Sequence, residues 1–143
     1  MLIIHCGGDL LFTDSGYTGT LFVETDMGCF PSEGWTDYPE IVLGWWVDAL
    51  KSVFIGHEGR TYTFLFMDGP YAIRCIKESD HLTLRFERES TTILPACKTT
   101  FDAFTTAIRN AMESLIRQLY LVGRTDKTEP IREYLKQLDV FIT

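Results

Sequence analysis

Residues 30–50 read FPSEGWTDYPEIVLGWWVDAL and join a polar loop to a strongly apolar helix. Asp37 and Glu40 stand three residues apart, a spacing at which each side chain can bond a free backbone N–H of the first helical turn. Pro39 falls in that turn, where its missing N–H costs nothing. The pattern predicts a helix over about residues 38–53, capped by Asp37.

The apolar residues of this helix recur at i, i+3, i+4, i+7, i+8 and i+11, which is the stripe of a core-facing helix. They are Val42, Trp45, Trp46, Ala49, Leu50 and Val53, and Ile41, Leu43 and Val47 broaden the stripe. We therefore expect the more buried of the two adjacent tryptophans to anchor the core. The alternative is that the tryptophan pair is exposed and binds a ligand or a partner.

Charge is distributed unevenly along the chain. The first fifty residues contain no Lys or Arg and eight acids, which are Asp9, Asp14, Glu24, Asp26, Glu33, Asp37, Glu40 and Asp48. Residues 51–143 contain twelve acids and thirteen bases, so the net charge of −7 divides into −8 and +1. This asymmetry is the main functional clue in the sequence.

Length and composition are those of one globular domain over residues 1–143. Ten Phe, six Tyr and three Trp supply enough apolar area to argue against disorder. No apolar run approaches the ~20 residues of a membrane-spanning helix. The N-terminal MLIIHCGG lacks a basic region and a long apolar region, so we expect neither a signal peptide nor a membrane partner.

The four cysteines are dispersed, with no two of them within twenty residues of each other. They stand in apolar or strand-like contexts, as buried thiols do. We expect them to be reduced thiols of a cytoplasmic protein, although the spacing leaves disulfides open.

Short strands precede the helix. Residues 2–6 and 10–13 flank Gly7-Gly8-Asp9, which predicts a hairpin, and residues 13–19 are expected to form a polar loop. Residues 20–24 then predict a strand, followed by a turn at 25–28 and a brief return at residues 29 and 30.

Strands and then helices follow the first helix. Four alternating segments predict an antiparallel meander, and they span residues 61–66, 71–76, 81–88 and 91–96. Thr99 and Asp102 predict the start of a helix of about 22 residues that ends before Gly123. Thr128 and Pro130 open a last helix, and apolar residues 140–142 are expected to dock. The order predicts an α+β fold with helices on one face of an antiparallel sheet.

Little in the sequence indicates catalysis. His5, His57 and His81 form no HExxH, and no GxSxG or phosphate-binding loop is present. A Cys–His nucleophile pair is possible, for example Cys29 with His57, but nothing marks a lowered thiol pKa there. The pI near 4.9 argues against nucleic-acid binding. We predict no catalytic residue, no metal site and no cofactor.

Two segments are similar to a known kind of protein. The pattern FPxxxWxDYPxxxLxWW at residues 30–46, followed by FMDGPY at 66–71, resembles small bacterial immunity proteins. Those proteins are encoded beside polymorphic or contact-dependent toxins. The resemblance covers about residues 30–75. It implies a cytoplasmic, non-enzymatic protein that binds one toxin domain and blocks its active site or its access to substrate.

The charge pattern indicates the same function independently. A nuclease toxin binds phosphate and tends to have a basic cleft, which clustered carboxylates can fill, and complementary fields speed encounter. We expect a monomer that binds the toxin's C-terminal domain. The predicted partner-binding residues are Asp14, Glu24, Asp26, Glu33, Trp35 and Asp37, with Glu40 and Asp48 as second choices.

Two other functions stay open. One is a small-ligand-binding or regulatory domain that uses an aromatic pocket, and the other is an enzyme. A deep pocket lined by Trp45 or Trp46 together with a histidine would favour the ligand-binding domain. A flat or convex acidic surface would favour the inhibitor of a toxin.

Overall fold

Residues 1–141 are described by the structure, a computed structural model, and within them the chain forms two antiparallel sheets and three α-helices. The predicted α+β class is confirmed. The strands are β1 (Leu2–Cys6), β2 (Leu11–Thr13), β3 (Gly16–Thr25), β4 (Gly28–Phe30), β5 (Thr36–Asp37), β6 (Thr61–Leu65), β7 (Tyr71–Lys77), β8 (Leu82–Arg88) and β9 (Thr91–Thr99). The helices are α1 (Pro39–Ile55), α2 (Phe101–Leu121) and α3 (Glu129–Asp139). The predicted docking tail includes Ile142, which lies outside the described residues.

The long strand β3 organises the N-terminal sheet. β1 and β2 pair in succession with one edge of β3, and β4 and β5 pair with its other edge. The turn predicted at residues 25–28 connects β3 to β4 as expected. All four strands that pair with β3 therefore lie near it in the sequence.

The predicted hairpin at Gly7-Gly8-Asp9 is wrong. Between the pairs Cys6↔Leu21 and Leu11↔Thr18, four residues face two residues of β3, so the glycines form a bulge within one continuing strand. Thr20 keeps this strand attached, because its carbonyl accepts from Gly7 N at 3.0 Å and its N–H donates to the Gly8 carbonyl at 2.8 Å.

The true hairpin turn lies inside the segment that was expected to be a loop. Asp14 and Ser15 connect β2 to β3, because Thr13 pairs directly with Gly16. β3 consequently begins at Gly16 rather than at residue 20.

Helix α1 runs from Pro39 to Ile55, and Pro39 occupies the first turn as predicted. The predicted capping box is wrong, because Tyr38 is the N-cap residue and makes no side-chain capping bond. The predicted apolar stripe is wrong at Trp45, which is exposed. Trp46 is fully buried and donates its indole N–H to the Leu65 carbonyl at 2.8 Å. The buried face of α1 consists of Pro39, Val42, Leu43, Trp46, Val47, Leu50 and Val53.

A lysine from the second sheet closes the C-terminus of α1. The Lys77 ammonium donates to the carbonyls of Val53 at 2.8 Å and Gly56 at 2.9 Å. These carbonyls have no partner within the helix, and a cation there also opposes the negative end of the helix dipole. Strand β7 therefore determines where α1 ends.

The predicted meander is confirmed as a four-stranded sheet in the order β6-β7-β8-β9. Alternation places Phe64, Leu84 and Phe86 inside with no exposed area, as expected. α2 begins one residue later than predicted, because the Thr100 hydroxyl accepts from Ala103 N at 3.0 Å. Gly123 follows the helix with a φ of +76°, the left-handed conformation expected at that place.

One buried cluster joins both sheets and all three helices. Phe30 of β4 lies at its centre and contacts Phe66, Tyr71 and Phe86, with ring centroids 5.1–5.8 Å apart. Because these rings come from both sheets, the N-terminal strands and the meander share one core.

Candidate partner-binding surface

Asp37 is buried, with 1% of its surface exposed, and its carboxylate is surrounded by N–H donors. It accepts from the Trp35 indole at 3.0 Å, from Tyr38 N at 2.8 Å, and from the backbone nitrogens of Met67 and Asp68 at 3.2 Å. The carboxylate has no free face for a partner. Asp37 is therefore a structural link and is removed from the predicted partner-binding set.

This link brings together the two segments that carry the resemblance. Residues 35–38 and the turn after β6 both bind the Asp37 carboxylate. The Trp35 ring also packs edge-on against Tyr71, with centroids 5.0 Å apart. Gly69 holds the turn with a φ of +79°, which side chains rarely adopt. Packing between the two segments thus accounts for their spacing in the sequence, and the same contacts leave Trp35 half-buried.

Three predicted acids gather near the β3–β4 turn. Glu24 faces Cys29 across the strand pair, and Asp26 lies in the turn itself. Burial, and then the nearby carboxylates of Glu24 and Glu33, raise the pKa of the Cys29 thiol, which locates Glu33 in the same region. We call Glu24, Asp26 and Glu33 the acidic end.

A histidine and a lysine border the acidic end. The His5 ring lies 2.7 Å from the Glu24 carboxylate and stacks on Phe22 with centroids 4.6 Å apart. Lys98 of β9 lines a cleft of about 240 Å³ beside Asp26. Asp26 and Glu33 are exposed, whereas Glu24 is partly covered.

Asp14 lies apart from the other predicted acids. It occupies the β2–β3 turn, at the opposite end of the ten-residue strand β3. A strand rise of about 3.3 Å per residue puts it on the order of 30 Å from Asp26. Arg124 stacks on Phe12 beside this turn, 4.3 Å from the ring centroid. The sequence could not reveal this separation, because it depends on where β3 begins.

The second-choice acids lie on α1, beside exposed apolar residues of which two, Ile41 and Trp45, were predicted to face the core. Tyr38, Ile41 and Trp45 are 39%, 39% and 42% exposed and follow one side of the helix at i, i+3 and i+7. Asp48 continues this side by one turn. We call these four residues the outer face of α1. The helical spacing of these residues is visible in the sequence, but the sequence does not show which of the two adjacent tryptophans faces the core.

Glu40 has a different position from Asp48. It is half-buried, and burial raises the pKa of its carboxyl, while Lys127 acts in the opposite direction. The Tyr134 hydroxyl donates to the Glu40 carbonyl at 3.0 Å, which ties α3 to the first turn of α1.

The described residues offer little catalytic chemistry. Within residues 1–141, no three His, Cys, Asp or Glu side chains are placed to share a metal ion. The His81 ring lies at hydrogen-bonding distance, 2.8 Å, from the carboxylate of its neighbour Asp80. In the part of the chain that the structure describes, no hydrogen bond joins Cys29 to His57. Burial raises the pKa of Cys6 and Cys75 to about 12, the opposite of an activated thiol.

Comparison with family models, with curated proteins and with solved structures found no match to this chain. The resemblance to immunity proteins accordingly stays a prediction. In residues 1–141, every helix is too short or too polar to span a membrane.

Proposed function

We propose that this protein is an immunity protein that binds a bacterial toxin domain and neutralises it. One observation carries the proposal. The fifty residues without a single Lys or Arg form the whole N-terminal sheet and most of α1, so this part of the molecule exposes carboxylates such as Asp26, Glu33 and Asp48 without a Lys or Arg of its own. The partner that fits such a surface is a protein with a basic cleft, as a nuclease has.

The acidic end and the outer face of α1 would contribute in different ways. Exposed carboxylates such as Asp26 and Glu33 raise the rate of encounter with a basic partner. Exposed aromatic residues such as Tyr38 and Trp45 supply contact area that stays buried in the complex and slows dissociation. In this proposal the protein acts in the cytoplasm as a monomer and without catalysis, by occupying the cleft that nucleic acid would enter.

The alternative is a domain that binds a small ligand in an aromatic pocket. Trp46 is inaccessible in the core, and the groove beside Trp45 is lined by no histidine among the described residues. That groove is open rather than deep, because it lies on the surface between two helices. This arrangement favours a protein partner over an enclosed ligand.

The test uses the toxin domain encoded next to this protein. We expect the two purified proteins to form a complex and the protein to restore growth to cells that express the domain. A catalytically inactive toxin variant serves for binding, so that toxicity and association are measured separately. Absence of both binding and protection would refute the immunity function.

A further inference from the structure

The groove between α1 and α3 has a composition that indicates what it binds. It measures about 420 Å³ and is lined by Ile41, Gly44, Trp45, Asp48, Tyr134 and Gln137. An aromatic ring, a carboxylate and an amide thus surround an open space beside the most exposed tryptophan of the protein. Indole rings attract cations over their faces, and carboxylates bind cations at their edges.

Gly44 creates the shape of this groove. A Cβ atom at this position would lie 2.6 Å from the Tyr134 hydroxyl, so a side chain would displace the tyrosine. With glycine there, the Tyr134 hydroxyl donates to the Glu40 carbonyl at 3.0 Å, and Tyr134 forms part of the groove lining. The lining is therefore held in place before any ligand arrives, which lowers the entropic cost of binding.

An exposed carboxylate borders the groove. Asp48 exposes 78% of its side chain, and its contact with Lys51 is a long one of 3.8 Å. Lys51 also donates to the amide oxygen of Gln137, which lines the groove. Burial, and then the charges of Glu40 and Asp48, raise the pKa of Tyr134, so both carboxylates lie near this side chain.

We propose that this groove binds an arginine side chain presented by the protein partner, with the guanidinium over the Trp45 ring and paired with Asp48. Arginine fits better than lysine because its planar group stacks on an aromatic ring while its edge bonds a carboxylate. The inference rests on the proposed function only in taking the partner to be a protein with a basic surface.

The groove is tested without the toxin. The capped tripeptide acetyl-Gly-Arg-Gly-amide is titrated across the millimolar range while the three indole N–H resonances are followed by NMR. Trp35→Phe and Trp45→Phe variants assign these resonances. We expect a saturable shift of the Trp45 resonance, a smaller one with the lysine peptide, and none with the citrulline peptide, which has the same shape without charge. An equal response to citrulline, or shifts only near Glu24 and Asp26, would overturn the inference.

A matched pair of variants tests the carboxylate. Asp48→Asn should weaken arginine binding severalfold, whereas Glu58→Gln, which removes an exposed carboxylate in the turn before β6, should leave it unchanged. Equal affinity in both variants would remove Asp48 from the site.

The two proposals can fail separately. If the toxin domain binds the wild type and the Asp48→Asn and Trp45→Leu variants equally well, the groove is refuted and the immunity function stands. If the arginine peptide binds at Trp45 but no toxin domain associates, the groove stands and the immunity function is refuted.

Discussion

A single carboxylate connects the two sequence segments that the chain makes most conspicuous. Asp37 accepts four N–H groups, three of them from backbone, and only 1% of its own surface is exposed. Replacing it with alanine removes the charged acceptor of all four donors, so we expect Asp37→Ala to lower the free energy of unfolding by about 3 kcal/mol. Asp14→Ala, which removes an exposed turn carboxylate, should change it by less than about 0.5 kcal/mol. Urea unfolding of both variants measures the difference, and equal midpoints would contradict it.

Two adjacent tryptophans provide a second comparison between single residues. Trp46 is fully buried and packs edge-on against Phe64 and Phe66, whereas Trp45 is 42% exposed. Trp46→Ala should cost about 3–5 kcal/mol through lost transfer energy and a cavity. Trp45→Ala should cost about 1 kcal/mol or less. Denaturant midpoints that fall equally for both variants would show that the outer face of α1 is structural rather than available for binding.

Among the secondary-structure elements, helix α1 depends on a side chain from strand β7 to satisfy the carbonyl groups at its C-terminus. Lys77 bonds the last carbonyls of the helix, and the helix has no basic residue in its own last turn. Lys77→Met keeps the length of the side chain and removes these bonds, so we expect a loss of about 1–2 kcal/mol. Lys136→Met on the exposed side of α3 is the control and should be near neutral. Thermal unfolding of the two variants tests this, and a neutral Lys77→Met would mean that water replaces the ammonium.

The elements that the sequence predicted correctly are those whose signal is local. The meander follows from alternation within each strand, as in β8, and α2 follows from helical spacing over 21 residues. The bulge at Gly7 and Gly8 was missed because two glycines before an aspartate also suit a turn. Only pairing with Thr20, thirteen residues away, decides between them, and that contact is invisible to local patterns.

Local patterns limited the prediction of the site in the same way. They identified the acids and Trp35, but the separation of Asp14 from Asp26 and the burial of Asp37 depend on tertiary contacts. The outer face of α1 was recoverable in part, because Tyr38, Ile41 and Trp45 share one side of a helix. Which side faces water depends on the sheets that cover the other one.

For the whole molecule, buried thiols predict how stability responds to alkaline pH. Burial raises the pKa of Cys6 and Cys75 from 9.0 to about 12, so above pH 9 the unfolded chain loses these protons while the folded chain keeps them. The unfolded state then binds fewer protons, and stability must fall as pH rises between about 9 and 12. Each thiol contributes about 1.4 kcal/mol per pH unit in that window.

Urea unfolding at several pH values measures this slope. The double variant Cys6→Ala/Cys75→Ala should show a shallower loss of stability above pH 9, although burial also raises the pKa of Tyr17, which contributes in the same direction from about pH 10 upward. All four cysteines are free in the structure, and we expect four titratable thiols after denaturation. An unchanged slope in the double variant would show that other groups control the alkaline transition.

The separation of acids along the molecule predicts how charge reversal affects partner binding. If the acidic end steers a basic toxin domain, replacing Glu24, Asp26 and Glu33 with lysine should slow association markedly at low salt, because exposed rim charges act on the association rate. A control triple of Glu58, Asp80 and Glu133, also replaced with lysine, changes the net charge equally and should slow association far less. Raising the salt to about 0.5 M shortens the Debye length to roughly 4 Å and should bring the two rates together. Stopped-flow measurement with the adjacent toxin domain distinguishes a local effect from one of net charge. Equal slowing by both triples would mean that overall charge, and not the acidic end, governs encounter.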